Sequence, residues 1–194
     1  HWQTLFLEGQ KSGYARIEAA MAHGPAALRE AQQLERLLEI GRNLSSNLDL
    51  PSLLGSIIGV AAEITGSEGA SILLYDPAAR LLRFEAIPPN QNQALKKISV
   101  PVDSSVAGWV FSSASPLIIN DAGSDARIYR EVDRQIRFDT RSILGVPLIV
   151  KQEPIGVLEA VNKLAGQDYT EPDQVALETL AAQVGSAIAR VQAE

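Results

Sequence analysis

Cysteine is absent from all 194 residues. That excludes disulfides, thiolate zinc sites, cysteine nucleophiles and thioether attachment of a chromophore, and it fits a reducing compartment. Histidine is nearly absent too, since the two present are His1 and His23, ahead of the patterned part of the chain. The core therefore has no imidazole for a Ser-His-Asp triad, an axial haem ligand or an ordinary zinc site. No phosphate-binding loop or dinucleotide fingerprint occurs, because Gly55 and Gly59 fall inside a helical pattern. The carboxylate pairs Glu153/Glu159 and Asp121/Asp125 read as solvated loops, so catalysis is not expected. Basic excess is missing as well: the net charge is −6, which argues against non-specific nucleic-acid binding. The longest nearly uncharged apolar stretch, Leu48 to Ile64, is broken by Asp49, Pro51, two serines and two glycines. It is too short and too interrupted to span a bilayer. No basic region followed by an apolar block opens the chain. A soluble, cytoplasmic protein without membrane contact is the expectation.

What is present begins with length. A chain of 194 residues suits one domain with an appendage, and a domain of that size buries roughly 70% of its unfolded surface without a covalent staple. Residues 1–25 carry no sustained period and read as a linker or the end of an upstream segment. The domain proper is expected over 26–194, starting at Pro25, a residue suited to a first helical turn. Leu34, Leu37, Leu38, Leu44 and Leu48 form a helical stripe, and Leu34, Leu37, Gly41, Leu44 and Leu48 recur at three- and four-residue spacing. Asp49 then caps a second helix over 50–65 whose apolar residues are Leu53, Leu54, Ile57, Ile58 and Ala61.

Beyond residue 66 the period changes to that of strands. Residues 70–76 and 81–87 form a hairpin across Asp76-Pro77, and 96–102 a third strand. A short helix capped by Asp103 or Ser104 follows, then a short strand at 116–120 and a short helix near 126–136. Residues 141–150 and 154–162 pair as a second hairpin, and a long helix runs from about Pro172 to Val191. Directly joined strand pairs argue for an antiparallel sheet, hence an α+β fold rather than a doubly wound parallel one.

In the strand 154–162, alternation sets Val157, Glu159 and Val161 on one face. A carboxylate on an otherwise apolar face reaches solvent, finds a partner or lines a cavity, and the cavity is the preferred reading. In the last helix Leu177, Leu180, Val184, Ala187 and Val191 recur at three- and four-residue spacing, the seam of a two-stranded coil. Val175, Ala176, Ala181, Ala182 and Ile188 widen it. Part of this surface must cover the domain's own sheet, and a helix apolar on so much of its circumference needs a second partner. A parallel homodimer through the first and last helices is expected.

With this element order in hand, the chain resembles the GAF family of sensory domains from about Leu34 to Val191. It is closest to the GAF domains of cyclic-nucleotide phosphodiesterases and bacterial adenylyl cyclases. The motif that carries the resemblance is an Asn-Lys, a spacer, an aromatic, three residues and Asp-Glu, matched here by Asn162, Lys163, Tyr169, Asp173 and Gln174. The blocks Ile118 to Leu148 and Ile155 to Lys163 are similar to that subgroup as well. The resemblance implies a central antiparallel sheet of about six strands. Long N- and C-terminal helices would pack on one face and short pocket-forming helices on the other.

Family positions lining the implied pocket fall on Ser71, Phe84, Glu85, Val106, Ala107, Tyr129, Asp133, Thr140 and Glu159. Phe84 would stack on a purine, although Phe84 and Tyr129 also read as plain core aromatics. The amides of Val106 and Ala107 open a helix and suit an anion, although Ser104-Ser105 also reads as an ordinary helix start. Glu85 and Ile136 stand where the subgroup commonly has Asp and Thr, and one missing buried hydrogen bond costs about 1–3 kcal/mol. Asn162, Lys163, Tyr169 and Asp173 are implied as a lock that steadies the pocket from outside. A Lys163–Asp173 pair at the surface contributes about 0–1 kcal/mol, so its value would be geometric. The expected ligand is cAMP or cGMP with no covalent cofactor, and the signal would pass through the terminal helices to a covalently linked output domain. The alternatives are a ligand-free dimerisation and helix-transmission module, its cavity plugged by Trp109 and Ile136, or a sensor of another small metabolite.

Overall fold

A computed structural model describes residues 50–86, 98–136 and 138–193. The segment 1–25, the helix expected over 26–48 with its leucine stripe, and Asp49 lie outside the described residues. Helix α1, Leu50–Thr65, has the bounds expected of it. It buries Leu53, Leu54, Ile57, Ile58, Ala61 and Ile64, a 3.6-residue period that puts one face on the core. Gly66 ends it in the left-handed region at φ 58°, the conformation that favours glycine after a helix.

Six strands follow in one sheet of order β3-β2-β1-β6-β5-β4, every neighbouring pair antiparallel. They are β1 (Ser67–Asp76), β2 (Leu81–Ala86), β3 (Ser99–Pro101), β4 (Leu117–Ile119), β5 (Ile143–Val150) and β6 (Glu153–Lys163). Helix α2 (Val106–Ser113) lies between β3 and β4, α3 (Arg130–Ile136) between β4 and β5, and α4 (Glu171–Ala193) closes the domain. The α+β antiparallel architecture is the one expected. The long strands β1 and β6 pair at the centre of the sheet. Lys151 and Gln152 turn β5 into β6 with φ of 50° and 69°, the two positive angles that match a two-residue hairpin to strand twist.

Register divides the side chains between two faces. Ile72, Val146 and Leu158 lie opposite one another, as do Ala70, Leu144 and Ala160, and directly opposed residues share a face. All six are buried on the side where α1 packs on β1, α4 on β5, and the two helices on each other. The other face carries Leu73, Phe84, Val100 and Val157, which cluster with Ala107 and Val110 of α2. Each large side chain so buried stabilises the fold by about 1.5–3 kcal/mol.

Three local expectations are corrected. The cap of α2 is Ser105, whose Oγ accepts from the Gly108 amide at 2.9 Å, not Asp103 or Ser104. Helix α3 starts at Arg130 rather than 126 because Asp125 takes the preceding chain into a turn, its Oδ1 accepting from the amide and Nε of Arg127 at 2.9 and 3.0 Å. Of the expected seam, Leu177, Leu180, Val184 and Ala187 are buried within this chain, together with Ala176, Ala181 and Ile188, while the Val191 side chain lies outside the described residues. The sheet and α1 thus account for most of the apolar circumference of α4. Val175 and Ala182 stay exposed.

Candidate functional site

The face of the sheet turned towards α2 and α3 does not close completely. A cavity of about 210 Å³ lies between it and these helices. Eight of the nine expected pocket residues line it: Ser71, Phe84, Val106, Ala107, Tyr129, Asp133, Thr140 and Glu159. Glu85 does not. It is exposed, and it is the extra residue of a bulge, since Leu73 pairs with Phe84 and the adjacent Ile72 with Ala86. A pleated strand that turns Phe84 inward turns the next side chain away. Glu68, Ser105, Val132 and Phe138 also line the cavity and were not anticipated. Glu68 had a signal, a carboxylate at the start of a largely buried strand.

Glu159 sits on the floor of this cavity. Ser71 of β1 lies directly opposite it on one side and Gly145 of β5 on the other. A Cβ at position 145 would stand 3.1 Å from Val110 Cγ2 and an ordinary 3.9 Å from Glu159 Cγ, so the glycine makes room for Val110 of α2 beside the Glu159 side chain. Glu159 is 9% exposed, and among the described residues no hydrogen-bond donor satisfies its carboxyl. Loss of hydration in the apolar surroundings raises its pKa to about 7.

The neighbouring polar groups are already engaged. Asp133 Oδ1 accepts from Thr140 Oγ1 at 2.6 Å, and its Oδ2 accepts from the Thr140 amide and from Arg130, each at 3.0 Å. Asp133 and Thr140 therefore build the wall as a pair. Glu68 Oε2 accepts from Asn162 Nδ2 at 2.7 Å and from Arg141 at 3.0 Å. At the opposite wall, the amides of Val106 and Ala107 open α2, where no preceding turn supplies a carbonyl. Gly108 lets this helix press against Val102, whose carbonyl oxygen occupies the place a Cβ would take. Trp109 does not plug the space: it is 38% exposed, under the Arg127 guanidinium at 5.5 Å. The Ile136 side chain lies outside the described residues.

Behind the cavity the four expected lock residues converge. Asn162 is buried with φ 59°, a left-handed conformation that asparagine tolerates. Its Oδ1 accepts from the amides of Arg141 (2.7 Å) and Ser142 (3.2 Å), while Nδ2 donates to Glu68 Oε2 (2.7 Å) and the Asp139 carbonyl (2.9 Å). Every hydrogen-bonding position of the amide is used. Lys163 Nζ donates to Asp173 Oδ1 at 2.9 Å and to the Thr65 carbonyl at 2.7 Å, and lies 5.8 Å from the centre of the Tyr169 ring. Asp173 Oδ2 accepts from the Thr170 amide at 3.0 Å, half of a capping box at the start of α4. The Tyr169 hydroxyl meets Ser67 Oγ at 2.7 Å, and burial pushes its phenol well up. The pair expected at the surface is thus largely enclosed.

Comparison with known proteins agrees with this geometry. A profile of the GAF domain family matches residues 47–189. The chain is 27% identical over 177 residues to the dual 3',5'-cyclic-AMP and -GMP phosphodiesterase 11A of Takifugu rubripes, covering 85% of this chain and 19% of that protein. It is 26% identical over 163 residues to the probable 3',5'-cyclic phosphodiesterase pde-5 of Caenorhabditis elegans, covering 78% and 22%. The chain thus spans about a fifth of the length of these curated relatives. Among solved structures, the GAF domain of an Acinetobacter phosphoenolpyruvate-protein phosphotransferase superposes with a TM-score of 0.71 at 25% identity, covering 84% of this chain and 96% of that one. The matched profile spans most of the described fold, cavity and lock included, and the chain belongs to the GAF domain family.

Proposed function

We propose that this domain binds a cyclic nucleotide in the cavity over Glu159 and passes occupancy through α4 to an output domain outside the sequence. The observation that carries the reading is Glu159 itself, a carboxyl group on an otherwise apolar strand face that opens into the cavity with no hydrogen-bond donor of the protein on it among the described residues. A carboxyl group that faces a cavity instead of a protein donor is available to the hydrogen-bonding edge of a ligand. Phe84 offers a face for a base, Ser71 a hydroxyl beside Glu159, and the first amides of α2 a place for an anion. The similarity to phosphodiesterases named for cyclic AMP and cyclic GMP points to the same ligand class. A volume of about 210 Å³ is below the roughly 300 Å³ at which ordinary ligand pockets begin. A nucleotide would therefore be admitted by movement of the wall from Ile128 to Thr140.

The route outward is short. Glu159 and Lys163 share β6, and Lys163 holds Asp173 in the first turn of α4. A shift of the cavity floor would reach that helix through one enclosed ion pair. We read the domain as cytoplasmic, non-catalytic and homodimeric, with the exposed face of α4 in the contact. The reading as a ligand-free module is less favoured, because it needs the cavity filled by the chain's own side chains and Trp109 lies outside it. Calorimetry and thermal shift with cAMP and cGMP test the proposal. Binding with stabilisation is the expected result, and no heat and no stabilisation at millimolar ligand would overturn it.

A further inference from the structure

We propose that Glu159 selects between purines by its protonation state, so that a guanine ligand is bound with release of a proton and an adenine ligand with uptake of one. The inference rests on the cyclic-nucleotide reading of the cavity and adds the chemistry of the choice. A carboxylate accepts only, whereas a carboxylic acid donates one hydrogen bond and accepts another. Guanine presents two donors side by side, N1–H and its exocyclic amine, which match an ionised carboxylate. Adenine presents its exocyclic amine beside the bare acceptor N1, which matches the protonated acid. One side chain can therefore serve either base, in different states.

The surroundings leave that choice to Glu159. Its strand neighbours Ser71 and Gly145 contribute a hydroxyl that donates or accepts equally well and no side chain at all. The titratable groups facing the same cavity among the described residues are Glu68 on β1, Tyr129 just before α3, and Asp133 on α3. Glu68 is held by Asn162 and Arg141, and Asp133 by Arg130 and Thr140. Their charges are matched locally by these arginines. The cavity residues contributed by β2, β5 and α2 are Phe84, Ile143, Val106 and Ala107, with the cap Ser105, and none of them titrates. Glu159 stays without a fixed counter-charge, and its raised pKa, near 7, makes both states accessible at ordinary pH.

The test is calorimetry of the chain with cAMP and with cGMP at pH 6 and pH 8, each in two buffers of different ionisation enthalpy. Between these values the ionised fraction of such a group rises from about one tenth to about nine tenths. Affinity for cGMP should rise roughly tenfold and affinity for cAMP should fall by a similar factor, with proton exchange of opposite sign. Glu159→Gln, which offers one acceptor and one donor at every pH, should abolish the pH dependence and leave a preference for cAMP. If both nucleotides bind with affinities that ignore pH or move together, the inference is overturned and the cyclic-nucleotide reading stands. If neither binds at any pH, the failure lies with that reading.

Discussion

Lys163 Nζ and Asp173 Oδ1 lie 2.9 Å apart with their side chains only 15% and 9% exposed, joining the end of β6 to the first turn of α4. Breaking a buried pair by removing one partner costs about 3–5 kcal/mol, because the other charge is left uncompensated. Lys163→Ala should therefore lower unfolding stability by roughly that amount in urea denaturation. The double change Lys163→Met, Asp173→Leu should cost less than Lys163→Ala alone. A loss under 1 kcal/mol for the single variant would return the pair to the class of ordinary surface contacts. If α4 is the output path, ligand response should weaken in both variants.

Asn162 separates backbone conformation from hydrogen bonding. Asn162→Gly keeps φ near 59° at little cost but loses the four side-chain hydrogen bonds. Asn162→Ala loses the same bonds and adds the left-handed penalty of about 1–2 kcal/mol. Both variants should be destabilised by more than about 2 kcal/mol through orphaned groups, with alanine the worse. Equal unfolding midpoints would mean that the left-handed turn contributes nothing here.

Two helical glycines should respond to alanine with opposite signs. At Gly108 a Cβ would collide with the Val102 carbonyl oxygen, so Gly108→Ala must push α2 away from Val102 and disturb the cavity wall that Val106 and Ala107 form. At Gly55 nothing among the described residues lies within 4 Å, and alanine is favoured over glycine inside a helix by about 1 kcal/mol. Thermal melts should show a clear loss for the first and a gain for the second. A tolerated Gly108→Ala would contradict the close approach of α2 to Val102.

The element order could be read from the sequence because its periods change cleanly at Gly66, from helical spacing in α1 to strands that turn back directly on one another. Glu159 was legible for a related reason: period two leaves a carboxylate between Val157 and Val161 with nowhere polar to point. The same period disqualifies Glu85 beside Phe84, and a position carried over from a family pattern does not feel the pleat. Enclosure of the Lys163–Asp173 pair was not legible, since it depends on Thr65 at the end of α1, whose carbonyl Lys163 meets, and on Tyr169, held by Ser67 at the start of β1, contacts about 100 positions apart in sequence that only the sheet register determines. The seam of α4 has the spacing of a coiled coil and of a helix laid on a sheet alike, and nothing in the spacing tells them apart.

The buried acid on the cavity floor also gives the fold a pH signature without any ligand. The folded pKa of Glu159 is raised from 4.5 to about 7 by desolvation. Below about pH 4.5 both folded and unfolded states hold the proton, and the group is neutral in its effect on stability. Between that value and about 7 the unfolded chain ionises while the folded one keeps its proton, so stability falls as pH rises. Above 7 the loss levels off at about 3 kcal/mol, since each tenfold difference in proton affinity between the two states is worth about 1.4 kcal/mol. Glu159→Gln has no proton to lose. It should match the parent near pH 4 and exceed it by up to about 3 kcal/mol at pH 8, measured by urea denaturation at each pH. A constant difference between the two proteins across that range would mean that Glu159 titrates alike in folded and unfolded chains.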